Sequence, residues 1–223
     1  MNSLLNGKID NKNIGLVKNL WQLRQALDIY SMISENADFI NQKGGGKVFW
    51  SFVQSLCLRF ITLEICKIFE DEKKGKRGEV KYELNSIDGV LKAIKEANLS
   101  IPDSLRVRGF LEKYGRERSK EGLLSELSSV VAEFKKNHQE ELKKFQTVRD
   151  KWIAHSEYEF SWENLPSYDV MDRLFDFAWG FYSAVSETIG VGPCNLESSR
   201  QVRCSMTKIL RDLGLENVET EMK

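Results

Sequence analysis

The chain has 223 residues, enough for one large domain or two small ones, and its 41% hydrophobic and 30% charged content is that of a globular protein. Lysine and arginine total 33 and aspartate and glutamate 33, so overall charge draws the chain to neither nucleic acid nor an acidic membrane, and any polyanion site must be a local patch. Two histidines and four cysteines (Cys57, Cys66, Cys194 and Cys204), with no CxxC pair, exclude an ordinary Cys/His zinc site and leave free thiols in a reducing compartment as the expected state.

Residues 1–14 are polar, lack the apolar core of a signal peptide and read as a loose arm. No apolar run reaches the length of a membrane span, so the expectation is a cytoplasmic protein with no membrane partner. Three prolines in the whole chain and long periodic runs predict helices. From Gly15 to Phe39, Leu16, Leu20, Leu23, Leu27 and Tyr30 recur at spacings of four and three, an amphipathic helix with Arg24, Asp28 and Glu35 on other faces. The cluster Lys43-Gly44-Gly45-Gly46-Lys47 lacks the first glycine of a phosphate loop, has Val48 where a hydroxyl should stand and follows no strand; it reads as a helix–helix turn.

Val48 to Phe69 is apolar nearly all round, which predicts a central helix touched on several sides. Its few charges, Arg59 and Glu64, must reach an edge or find partners on neighbouring helices. Residues 70–80 are charged and glycine-bearing, an exposed loop whose KKGKR run is read as a solvated turn. A short helix from Ser86 buries Val90, Leu91 and Ile94; Asp103 is positioned to cap the next one, which carries Leu105, Val107, Phe110 and Leu111. Leu123 to Thr147 reads as a long, bent helix with Lys135, Lys136, Lys143 and Lys144 on a solvated face and His138 exposed among them. Ser167 caps a strong helix to about Ile189, and residues 197–213 form a last helix. The predicted architecture is all-α: a helical bundle over 15–190 with a C-terminal helical extension over 191–223.

The stretch that holds chemistry is Val148-Arg149-Asp150-Lys151-Trp152-Ile153-Ala154-His155. On an α-helix at about 100° per residue, Phe145, Val148 and Trp152 share one face, while Arg149 and His155 flank it on opposite sides, diverging by about 120°. A permanent cation beside a buried face is costly unless paired, so Arg149 is a candidate anion site. His155 is the nearby group that titrates near neutrality, and Lys151 one turn before it disfavours its protonated form. On spacing alone, an arginine whose stem lies along apolar surface and a hydrogen-bonded structural histidine account for the pattern better than a site does.

Arg149 and His155 with five residues between them, and the polar Asp150 next to the arginine, resemble the signature of the HEPN superfamily. The layout, in which an aromatic helix ending in LEICKIFED precedes a charged loop, a helical stretch and RDKWIAHSE, is similar to the superfamily's abortive-infection U-like branch over residues 15–188. The resemblance implies a HEPN-like helical bundle acting as a homodimer, and a metal-independent endoribonuclease without cofactor. The RNA's own 2′-hydroxyl would attack the adjacent phosphorus, with His155 as general base or acid, Arg149 holding the phosphate and Asp150 positioning. Lys151 and Glu64 are the further candidates around that substrate, Glu64 as a partner for Arg149. A cognate antitoxin or other phage-defence partner is implied too. Toxins of this kind often carry a tyrosine two residues after the histidine; Glu157 stands there instead and Tyr158 follows, so no modification of such a tyrosine is expected. Two other readings remain: a non-catalytic helical module that binds RNA, a nucleotide or a partner protein through Arg149, and a structural dimerisation domain in which Arg149 and His155 form interface pairs.

Overall fold

The computed structural model describes residues 8–9, 15–43, 46–70, 85–116, 122–154, 165–190 and 197–215, and its regular structure among them is entirely helical. In chain order the helices are α1 (Leu16–Glu35), α2 (Ala37–Gln42), α3 (Lys47–Phe69), α4 (Ile87–Glu96), α5 (Leu105–Lys113), α6 (Leu123–Asn137), α7 (Gln139–Thr147), a π-helix (Val148–Ala154), α8 (Tyr168–Ser186) with a 3-10 turn (Glu187–Ile189), and α9 (Glu197–Asp212). None of the described helices is long and apolar enough to cross a membrane.

α1 buries Leu16, Leu20, Leu23 and Leu27 against α3 and α8. Its run stops at Glu35 because Asn36 turns its side-chain amide back onto the Met32 carbonyl at 2.8 Å, and α2 starts again from there. Gly46 opens α3 at φ 82°, a left-handed conformation that costs glycine little. Only the second half of α3 is central: Leu58, Ile61, Ile65 and Ile68 are buried, whereas Val48, Phe49, Phe52 and Leu56 are exposed. The expectation of a helix touched on several sides therefore holds from Cys57 onward and fails before it.

The core is aromatic where α3, α5, α6 and α8 meet. Phe134 stacks on Phe177 with ring centroids 3.6 Å apart, and Phe69 and Phe110 pack on the same Phe177 ring. α5 comes so close to α8 that a Cβ on Gly180 would lie 2.9 Å from the Phe110 ring. The cap of α5 is Ser104, whose hydroxyl accepts from the Val107 N–H at 3.3 Å; Asp103 instead takes both its hydrogen bonds from Arg108. The choice follows from register, since a cap accepts from the third residue on.

The long helix predicted from Leu123 bends at His138, between α6 and α7. His138 is not exposed as expected: its side chain is 15% accessible and its ring packs 4.4 Å from that of Phe134. The bend lays this ring over the core. A second correction concerns Asp28, expected on an outer face and in fact fully buried. α9 covers that face of α1, Arg203 reaching the Asp28 carboxylate at 3.2 Å beside Arg24 at 2.6 Å. Met206, Leu210 and Leu215 join Met32, Ile33, Ile40 and Trp50 in a small apolar cluster under α9.

Candidate active site

The predicted stripe forms the base of the site. Phe145 and Val148 are fully buried, and Trp152 packs against the core from its edge. The backbone here is not α-helical. From Val148 to Ala154 it widens into a π-helix, whose hydrogen bonds skip five residues instead of four. A wider turn advances by a smaller angle per residue than an α-helix; the 120° divergence expected for Arg149 and His155 refers to a histidine outside the described residues. His155 itself lies outside the described residues, as do Glu157, Tyr158 and the KKGKR run.

Arg149 is the best-defined part of the site. Its side chain is 19% exposed, and Nη1 donates to Glu70 Oε2 at 2.8 Å while Nε donates to Asp150 Oδ1 at 2.8 Å. The Asp150 hydrogen bond, with Glu70 nearby, holds the guanidinium firmly protonated, above the ordinary arginine range. Two of its five N–H donors are thus engaged, and Nη2 meets no acceptor among the described residues. Among the described residues the group keeps donor capacity for an incoming oxyanion, which would compete with the two carboxylates for its charge.

Glu70 is the residue that reading the sequence missed. It was assigned to an exposed loop, but it is the last residue of the apolar helix run, at the C-cap of α3, and only 16% exposed. Its signal lies in spacing: Glu70 follows Arg59 by about three helical turns, so the two share one face of α3. That face meets the π-helix at two places. Glu70 holds Arg149, and the Arg59 guanidinium lies over the Trp152 ring at 4.7 Å, the partner that a charge in this helix required.

Glu64 does not partner Arg149. It is 1% exposed and accepts from Lys67 Nζ at 2.6 Å, leaving its other oxygen buried without a hydrogen bond. Glu64 lies six residues before Glu70, about 240° round α3, so only one of the two carboxylates can face the π-helix. Asp150 is exposed and bound to its neighbour Arg149; Lys151 is exposed on the outer side of the π-helix.

A family model described as AbiU2, of the HEPN kind, matches residues 11–197. No curated protein and no solved structure matches the chain.

Proposed function

Because the chain belongs to the AbiU2 family of HEPN proteins, we propose that it is an endoribonuclease of the toxin or phage-defence kind, cutting RNA without a metal. The observation that carries the proposal is the half-buried Arg149 guanidinium, anchored by Glu70 and Asp150 with Nη2 meeting no acceptor among the described residues, at the head of the turn that leads to His155. In the reaction the RNA 2′-hydroxyl attacks the neighbouring phosphorus and the 5′-oxygen of the next nucleotide leaves. The products are a 2′,3′-cyclic phosphate and a 5′-hydroxyl. Arg149 binds the phosphate and stabilises the charge that builds on it. His155 accepts the 2′-hydroxyl proton or donates one to the leaving oxygen. Asp150 keeps Arg149 in position. Each chain supplies one such histidine, and a second copy supplies the other.

The surface for that second copy is the exposed apolar ridge of Val48, Phe49, Phe52 and Leu56 on α3. Large apolar side chains grouped on one helix face mark an interaction site, and the same helix carries Arg59 and Glu70 to the candidate site.

The test is cleavage of total RNA in EDTA by the purified chain beside Arg149→Ala and His155→Ala. The proposal expects EDTA-resistant cutting with cyclic-phosphate ends, lost in both variants. Cutting that survives in both variants points to a contaminating nuclease, and none by the wild type leaves the binding module as the better reading.

A further inference from the structure

Of the lysines expected on the solvated face of α6 and α7, the fold gathers Lys135, Lys136 and Lys143 around a groove. The groove has a volume of about 350 Å³. Lys136, Lys143, Gln139 and Gln146 form its rim over Phe69 and Leu142, and no carboxylate lines it among the described residues. Lys135 lines it as well, with its ammonium held by Asp88 at 2.6 Å. Lys143 is shared with Glu140 at 3.0 Å, a pair exposed on both sides and correspondingly weak. Lys136 is exposed and meets no acceptor among the described residues.

Two neighbours in sequence join this groove to the candidate site. Phe69 directly precedes Glu70, and Gln146 lies three residues before Arg149. The Phe69–Gln146 end of the groove is therefore next in sequence to the Arg149–Glu70 pair. At 1.5 Å per residue, Lys136 to Lys143 spans roughly 10 Å along the helices, and Lys143 to Arg149 roughly 9 Å. Lys136 and Lys143, seven residues apart, share one face at a step of roughly 10 Å, which suits a polymeric anion, since a small anion would need them clustered; Arg149, six residues past Lys143, stands about 240° further round, so the polymer turns there to reach it. The amides of Gln139 and Gln146, between and beyond the lysines, can donate to phosphate and sugar oxygens without reading sequence.

We propose that this groove is a phosphate track that holds single-stranded RNA on one side of the cleavage point, with Lys136 and Lys143 on backbone phosphates and the chain leading to Arg149. The inference rests on the ribonuclease reading and adds where its substrate lies.

The test uses the full chain and a 2′-O-methyl single-stranded oligonucleotide, whose blocked 2′-oxygen cannot attack, so that binding is measured with His155 in place. Anisotropy titrations over a range of salt compare wild type with Lys136→Gln, Lys143→Gln, the double variant and a control, Lys208→Gln on α9. Each groove variant is expected to lower the slope of log K against log salt by about 0.7, the double variant by about 1.4 with affinity down about tenfold. The control stays at wild type. On cleavable RNA the double variant raises KM and leaves kcat unchanged.

A double variant that matches the control overturns the groove, as does a wild type that binds no oligonucleotide. Competition by an oligo-glutamate peptide of equal charge as strong as that by RNA also overturns it, in favour of an acidic protein partner. Groove-dependent binding with no cutting of unblocked RNA would keep the track and sink the ribonuclease reading; cutting with an unchanged KM in the double variant would do the reverse.

Discussion

Arg149 holds a full charge in a place only one-fifth exposed, and Glu70 makes that tolerable. Removing the carboxylate while the cation stays leaves a half-buried charge short of its partner, so Glu70→Ala is expected to cost about 1–3 kcal/mol and Glu70→Gln, which keeps an acceptor, less. Urea unfolding of the two variants checks this, and equal midpoints for both and wild type would sink it. Two other side chains set the alkaline limit. Burial pushes the Cys57 thiol up to about 11 from an ordinary 9.0, and the Tyr114 phenol up to about 12 from 10.0. Both are protonated in either state below about pH 8. Above that the unfolded chain ionises first, so folding stability falls as pH rises from 9 towards 12. Unfolding midpoints measured across that range should decline, and Cys57→Ala should flatten the lower part. At this scale the sequence made Arg149 legible as a cation needing a partner. It misassigned that partner, because Glu64 and Glu70 stand on one helix and only the docking of the π-helix distinguishes them.

The element that turns these residues into a site is the π-helix from Val148 to Ala154. One residue more than an α-helical turn needs is accommodated there, and such insertions occur often at functional sites. Inserting one alanine after the exposed Lys151 should turn the chain beyond it by roughly a further 100° relative to Arg149. The expected outcome is a folded chain, by circular dichroism and urea unfolding, that no longer cuts RNA. Full cutting by the insertion variant would show that the facing set by this turn is incidental. Nothing in composition distinguishes seven residues of π-helix from seven of α-helix, since Phe145, Val148 and Trp152 suit either; the sequence showed the stripe and not its pitch. The helices themselves were legible wherever one face is buried, as in α1, α4 and α8. The cap at Ser104 and the bend at His138 were less so, because neighbouring residues offer the same chemistry one position away.

At the scale of the molecule, α3 presents two surfaces in succession, an exposed apolar ridge and then a buried half that ends on Glu70. In the proposed homodimer, Phe52→Glu places a charge in the middle of the ridge. Analytical ultracentrifugation should then give a monomer where the wild type is a dimer, with cutting lost and the fold intact. A wild type that sediments as a monomer would refute the shared site directly. Local periodicity could not reveal this surface, because an apolar helix reads alike whether its cover is its own chain or another. Asp28 is the opposite case, a charge that looked solvated until α9 was seen to cover it. Its carboxylate stands between Arg24 and Arg203, so the three positions form one unit spanning α1 and a helix beyond the family match, which ends at residue 197. Such a unit constrains inheritance. A relative without α9 leaves an acid at the place of Asp28 to the arginine of α1 alone, and one that keeps α9 over that acid should keep both basic partners, so the acid and the arginine of α9 are expected to change together.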